Sequence, residues 1–205
     1  MLARPNGGWE PLIARAAGDR VSGGPWVATC ARYLDELLAW NQRTDLTAAR
    51  TVEELVDLTV ADAAVVAAAS PDIGGWTDVG SGAGAPGLIL AMLLPEARVT
   101  LVEPRDRRVA FLRSAIGKFG LANTTVVRGR SDQLPEHTAD VAVSRATLPP
   151  REWLQEGARL AKSGVWVLLA REEAPQQAGL VQKHDIRYEW PLTQVPRRAV
   201  RYARE

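Results

Sequence analysis

Between Asp78 and Gly87 the chain reads DVGSGAGAPG, which places four glycines and a proline directly after an acid. Gly80, Gly82 and Gly84 are free to take positive φ and to let a ligand lie against bare backbone. A helix starting just beyond them presents unpaired N–H groups and the positive end of its dipole. Such a loop suits a nucleotide, and its neighbours narrow which kind. A triphosphate loop carries Lys and then Ser or Thr after its last glycine, whereas Gly87 is followed by Leu88 and Ile89. The dinucleotide spacing G-x-G-x-x-G is met by Gly82, Gly84 and Gly87, with Glu103 as the following acid. Two details argue against a nicotinamide dinucleotide. Asp78 ends the preceding strand and suits a positively charged ligand portion, such as an amino group reached through water. Pro86 stands at the helix start, where it removes a donor that a pyrophosphate would use.

The run from Asp78 through Gly80, Gly82 and Gly84, followed by an acid closing the second strand, resembles the cofactor site of class I S-adenosylmethionine-dependent methyltransferases. The resemblance implies S-adenosyl-L-methionine held by Asp78, Gly80, Ser81, Gly82, Gly84 and Pro86. Glu103 would bind both ribose hydroxyls, since a carboxylate has two acceptor oxygens. Ser131 and Asp132, after the third strand, would lie at the edge of the adenine pocket.

These residues need a frame, and the chain supplies one in two parts. Residues 1–74 read as a helical cap. An amphipathic helix is expected from about Pro25 to Trp40, with Trp26, Cys30, Tyr33, Leu34, Leu37 and Leu38 at i, i+3, i+4 spacing. A second should start at Thr51, with Glu54 completing a capping box, and run to about Ser70 before Pro71 and two glycines break the chain. From residue 75 to 205, short β-branched runs alternate with helical stretches, the pattern of βαβ units and a mostly parallel sheet. DIRYEW and RAVRYAR have no helix between them, so the sheet should end in an antiparallel hairpin. The expected fold is α/β, a Rossmann-like doubly wound class I methyltransferase domain behind a helical N-terminal cap.

Bulk properties exclude several classes. With 46% hydrophobic and 24% charged residues the chain is neither disordered nor fibrous. Its longest apolar run, near residues 63–70, is too short to span a bilayer, and MLARPNGGWEP lacks the apolar core of a signal peptide. A cytoplasmic location and no membrane partner are therefore expected. Cys30 is the one cysteine, which excludes an internal disulfide and a cysteine-based metal cluster; no metal is expected. Residues 1–74 hold six Arg against ten acids, and the remainder nineteen Lys or Arg against fourteen, giving an acidic front and a basic remainder.

The methyl acceptor is constrained by what the site lacks. Amino-methylating enzymes on bases carry an Asn/Asp-Pro-Pro-aromatic motif after the fourth strand, where this chain reads SRAT. Pyrimidine C5 methylation needs a thiol, and Cys30 sits in the cap helix as a core residue. His137 and His184 lie in polar stretches and read as surface residues, so no general base stands out. A nucleophile without a proton, such as guanine N7, needs none, and its methylation is mostly positioning.

WNQRTDLTA (Trp40–Ala48), DVGSGAGAPGLILA (Asp78–Ala91), EPRDRRVAFLR (Glu103–Arg113) and VAVSRA (Val141–Ala146) together resemble the bacterial 16S ribosomal RNA guanine-N7 methyltransferases, the glucose-inhibited-division-B family. That resemblance implies ribosomal RNA or the small ribosomal subunit as partner. It places Arg145 beside the transferred methyl, as the catalytic residue and an RNA contact, and Asn41 and Thr47 closing the cofactor site. RRAV, from Arg197, resembles the family's closing basic pair. Independently, Arg197, Arg198, Arg201 and Arg204 put four arginines in eight residues, which reads as phosphate contact. Two stretches depart from the family. Of its Arg-His and Asp-Ser pairs in the helix before the domain, Asp62 alone survives. The lysine that usually closes the fifth strand is replaced at best by Arg171, beside Glu172 and Glu173. The departures leave open a divergent paralogue that methylates another RNA or a small molecule; the oligomeric state is not specified by the sequence.

Overall fold

A computed structural model describes residues 2–70 and 74–205. The break expected at Pro71 lies outside the described residues. The cap comprises α1 (Glu10–Ala17), α2 (Pro25–Asn41), α3 (Val52–Val56) and α4 (Asp62–Ala68), with a π turn, Asp57–Ala61, joining the last two. The sheet domain follows as β1 (Gly75–Val79), α5 (Gly87–Leu93), β2 (Arg98–Glu103), α6 (Asp106–Phe119), β3 (Thr124–Arg128), β4 (Ala139–Arg145), α7 (Pro150–Leu160), β5 (Ala161–Leu169), β6 (Leu180–Glu189) and β7 (Pro196–Arg204). Its order is β3-β2-β1-β4-β5-β7-β6. The first five strands are parallel, while β7 runs antiparallel to both β5 and β6. The doubly wound α/β sheet and its terminal hairpin are thus as the alternating pattern required.

Local signals explain most element ends. Thr51 accepts the Glu54 N–H at 3.1 Å and starts α3 as an N-cap. Glu54 reaches back to the Arg50 N–H at 2.8 Å, one residue before the reciprocal partner of a capping box. Gly120, left-handed at φ 67°, ends α6. The helix expected over Thr51–Ser70 is instead interrupted by the π turn, where i→i+5 bonding replaces the α ladder.

The cap shares its core with the sheet. Trp9, Ile13, Tyr33, Leu34 and Val66 pack in one cluster with Trp76, Leu88, Phe111 and Trp166. On the opposite face α7 packs Trp153, Leu154 and Leu160 against Val79, Ala142, Val167 and Tyr202. Two indoles tie the layers: Trp153 donates to the Trp166 carbonyl at 2.8 Å, and Trp166 to the Ser70 hydroxyl at 2.9 Å. β1 lies between β2 and β4, so the strand order reverses there. The carboxyl ends of these strands deliver Asp78, Glu103 and Arg145 to that switch point, where open α/β sheets bind ligands. No helix among the described residues is long and apolar enough to cross a membrane.

Candidate functional site

The loop after β1 begins as an extension of the sheet, with the Gly80 and Ser81 N–H groups donating to the Val102 carbonyl at 2.8 and 3.2 Å. Gly80, Gly82 and Gly84 have φ of 71°, 58° and 103°. Their reasons differ. A Cβ on Gly80 would stand 2.1 Å from the Thr147 hydroxyl, one on Gly84 2.4 Å from Leu88, and one on Gly87 2.4 Å from Leu101. At Gly82 the nearest atom outside the loop is Arg108 Nη1, at 3.7 Å. Close internal packing therefore dictates three of the four glycines, and Gly82 is the one with bare backbone beside open space.

That space is a cavity of about 280 Å³ between the loop and the cap, walled by Gly80, Ser81, Gly82 and Ala83 on one side and by Tyr33, Thr47, Leu55 and Thr59 on the other. Several ties join its walls. The Tyr33 hydroxyl, from α2, donates to the Ala83 carbonyl at 2.6 Å. Asn41 accepts from the Leu46 and Thr47 N–H groups at 2.9 and 3.1 Å and so folds residues 42–48 over the opening. Arg108, in the first turn of α6, donates to the Asp45 carbonyl at 3.2 Å from the other side. Gly84 and Pro86 lie behind the loop instead of on the cavity wall.

Two buried acids stand behind the same loop. Glu103 accepts from the Gly82 N–H at 2.9 Å through one oxygen and from the Arg105 N–H at 3.0 Å through the other. Asp78 accepts from the Gly87 N–H at 3.0 Å through Oδ2, whereas its Oδ1 is buried with no partner in the protein. Burial pushes the Asp78 carboxyl up to about 6.

Arg145, at the end of β4, closes the far wall of this cavity and is also a wall of a second one. The second cavity, about 200 Å³, lies between the ends of β4 and β5 and the β6–β7 hairpin, with Leu148, Pro150, Trp153, Glu172 and Arg197 on its lining. Arg145 Nη1 donates to the Leu58 carbonyl in the π turn and lies 3.4 Å from Asp62 Oδ2. Asp62 Oδ1 in turn accepts from the Tyr188 hydroxyl at 2.8 Å and the Trp190 indole at 2.7 Å. Burial and then the charge of Asp62 push the Tyr188 phenol up, keeping it a donor.

Other expected residues fall elsewhere. Ser131 and Asp132 are not brought to the cavity. Arg159 of α7 holds the carbonyls of Ser131 and Leu134 at 2.8 and 2.9 Å, which draws that turn toward α7, and Asp132 is exposed beside Arg130. The β7 arginines do not form one basic stripe, because alternate strand residues point to opposite faces. Arg197 and Arg201 share the cap face with Ala199, while Arg198 and Arg204 share the α7 face with Val200 and Tyr202. Arg198 is committed to Asp185 by two bonds of 2.7 Å and lies 3.7 Å from Glu173, which leaves it no free charge for phosphate. Arg204 donates to the Ala158 carbonyl, Arg201 lies over Gly164, and Arg197 sits 3.7 Å above the Trp190 ring. Arg171 is exposed on a shallow groove that Arg187 and Arg197 also line. Cys30 is buried, as a core residue should be, and burial raises its thiol.

Sequence spacing alone gives Tyr33 and Arg108 no place in the site. Tyr33 falls in the apolar stripe of α2, and its hydroxyl left no separate signal; Arg108 belongs to the RRVAFL run, whose spacing assigns it no partner.

The family model for GidB, rRNA small subunit methyltransferase G, matches residues 27–190. A ribosomal RNA small subunit methyltransferase G from Methylobacillus flagellatus is 34% identical over 151 residues, which cover 73% of each chain. One of the same name from Halorhodospira halophila is 39% identical over 117 residues, covering 57% of this chain and 56% of the relative, little more than half its length. Among solved structures, TYW2 of P. horikoshii in complex with MeSAdo matches with a TM-score of 0.53 at 14% identity, over 70% of this chain and 61% of that one. This last likeness is one of fold.

Proposed function

From the premise that the chain belongs to the rRNA small subunit methyltransferase G family and has the class I methyltransferase fold, we propose that it transfers a methyl group from S-adenosylmethionine to guanine N7 of 16S ribosomal RNA. The observation that carries the reading is the position of Arg145, a shared wall of two cavities at the carboxyl ends of the parallel strands. One cavity suits the cofactor and the other an acceptor base.

The cofactor site passes a test of fit on the residues themselves. Asp78 keeps a buried acceptor oxygen without a partner, suited to an amino group, and Gly82 offers bare backbone. Glu103, whose two oxygens each carry one N–H bond, retains lone pairs for ribose hydroxyls. Thr47 and Tyr33 complete the enclosure. When bound, S-adenosylmethionine supplies an electrophilic methyl on a sulfonium.

The chain's own part is positioning. Nη1 of Arg145 is pinned by the Leu58 carbonyl and Asp62, so the guanidinium is fixed before substrate arrives. A guanidinium donor suits guanine O6 and leaves the neighbouring N7 lone pair uncommitted. N7 carries no proton, so no residue has to remove one; Asp62 is already held by three donors. Among the surface arginines, Arg171 and Arg197 suit phosphate contact beside the acceptor cavity. Partner and compartment follow from this reading: small-subunit ribosomal RNA, met in the cytoplasm.

Deletion of the gene tests the proposal. Nucleoside mass spectrometry of small-subunit RNA should show loss of one 7-methylguanosine, restored by the wild-type gene and not by Arg145→Ala. An unchanged 7-methylguanosine content on deletion would overturn it.

A further inference from the structure

Asp62 is 2% exposed and spends both oxygens on three donors from two separate parts of the chain. Tyr188 and Trp190, both on the β6–β7 hairpin, donate to Oδ1, and Arg145 approaches Oδ2 at 3.4 Å. An amide oxygen would serve the phenol and the indole as well as a carboxylate does. Among the described residues, the cation within ion-pair distance of Asp62 is Arg145. The negative charge therefore has its use at Arg145, and the two aromatic donors fix the plane in which that charge is presented.

The hairpin itself is registered on the same helix. Asp57, also buried, accepts from the Leu192 N–H at 3.2 Å and from the Thr193 N–H and hydroxyl at 2.8 Å, in the turn after Trp190. In an α-helix residues five apart point about 140° from one another. The π turn at Asp57–Ala61, bonded i→i+5, brings Asp57 and Asp62 round toward one partner. It also holds Leu58, whose carbonyl takes the other contact of Arg145 Nη1.

We infer that Asp62 is the positioning residue for Arg145, with the β6–β7 hairpin orienting Asp62 through Tyr188 and Trp190. This rests on the reading of Arg145 as the residue beside the transferred methyl. It assigns the surviving acid of an otherwise altered stretch a task in turnover, apart from any contact with cofactor or RNA.

The test uses the full chain, purified small subunits lacking the modification, and radiolabelled S-adenosylmethionine. Asp62→Asn keeps an acceptor for Tyr188 and Trp190 and removes the charge. It should lower kcat at least tenfold, leave both KM values and the calorimetric Kd for the cofactor within threefold, and add no further loss in an Arg145→Ala background. Unchanged kcat would overturn the inference, and so would an equal loss in the Arg145→Ala background, which would show that Asp62 acts independently. If Asp62→Asn does not fold, Tyr188→Phe removes one hydroxyl and is expected to lower kcat about threefold, again with no effect once Arg145 is alanine; full activity would be the refuting result. Wild-type turnover by Arg145→Ala, or no methylation by the wild type, would instead sink the functional reading.

Discussion

Replacing Asp78 by asparagine should make the protein more stable above neutral pH while weakening its cofactor site. The carboxyl is 1% exposed, accepts one hydrogen bond, and has one oxygen with no partner. Burial raises it to about 6, against 3.8 ordinarily, a difference worth ~3 kcal/mol when the group is ionised in the folded protein. The asparagine side chain would still accept the Gly87 N–H but would bury an amide nitrogen whose two N–H donors have no acceptor, at about 1–2 kcal/mol, leaving a gain of about 1–2 kcal/mol at pH 8. For a chain of this length that is about 2–8 °C in melting temperature. As pH falls, the native carboxyl takes up its proton before the unfolded chain does. Wild-type stability therefore gains through the window from about 6 down to about 4, and the advantage of asparagine disappears below it. Melting curves of both proteins at pH 4 and pH 8 measure this directly. An Asp78→Asn protein no more stable than wild type at pH 8, or one whose advantage is equal at both pH values, would refute the reasoning. Calorimetry supplies the other half: S-adenosylmethionine should bind the variant at least tenfold more weakly. Wild-type binding at pH 6 should release about half a proton, because a carboxyl at about 6 is half-protonated there and an approaching ammonium lowers it again.

The glycines should separate by role. Gly80→Ala puts a Cβ into Thr147 at positive φ and should cost more than ~2 kcal/mol by denaturant titration, whereas Gly82→Ala has room, costs about 1 kcal/mol, and should abolish cofactor binding by a folded protein. At the outer surface, Arg198→Ala should change RNA affinity less than twofold, since Asp185 already neutralises it. Arg197→Ala should weaken RNA severalfold and reduce the slope of affinity against salt by about one charge, both read by filter binding across a salt series.

The sheet and the loop were legible because their signals are local. Alternating β-branched and helical stretches specify the parallel strands, and acid–glycine spacing specifies the turn. Contacts that depend on distant partners left no local trace. Ser131 and Asp132 follow the third strand closely, but the turn that holds them is tied to α7 by Arg159, more than twenty residues on. Four arginines in RRAVRYAR read as one basic patch until strand alternation divides them between two faces. The π turn is hidden because VDLTVADAAVVAAA is apolar at almost every spacing, so no period distinguishes i→i+4 from i→i+5.

Among the described residues four carboxylates are buried: Asp57, Asp62, Asp78 and Glu103. Each should be unfavourable unless donors compensate it. Asp57 has the Leu192–Thr193 turn, Asp62 has the hairpin and Arg145, and Glu103 has one N–H on each oxygen. Three of the four therefore have a protein donor on each oxygen, and Glu103 still keeps a lone pair on each oxygen for the ribose hydroxyls assigned to it. Asp78 is not satisfied in this way. Its free oxygen costs stability in the protein alone, a cost that a cationic ligand group would remove. Three buried acids are satisfied and the fourth, directly behind a glycine loop, is left short, which is why the proposed function gives Asp78 the cationic end of the cofactor.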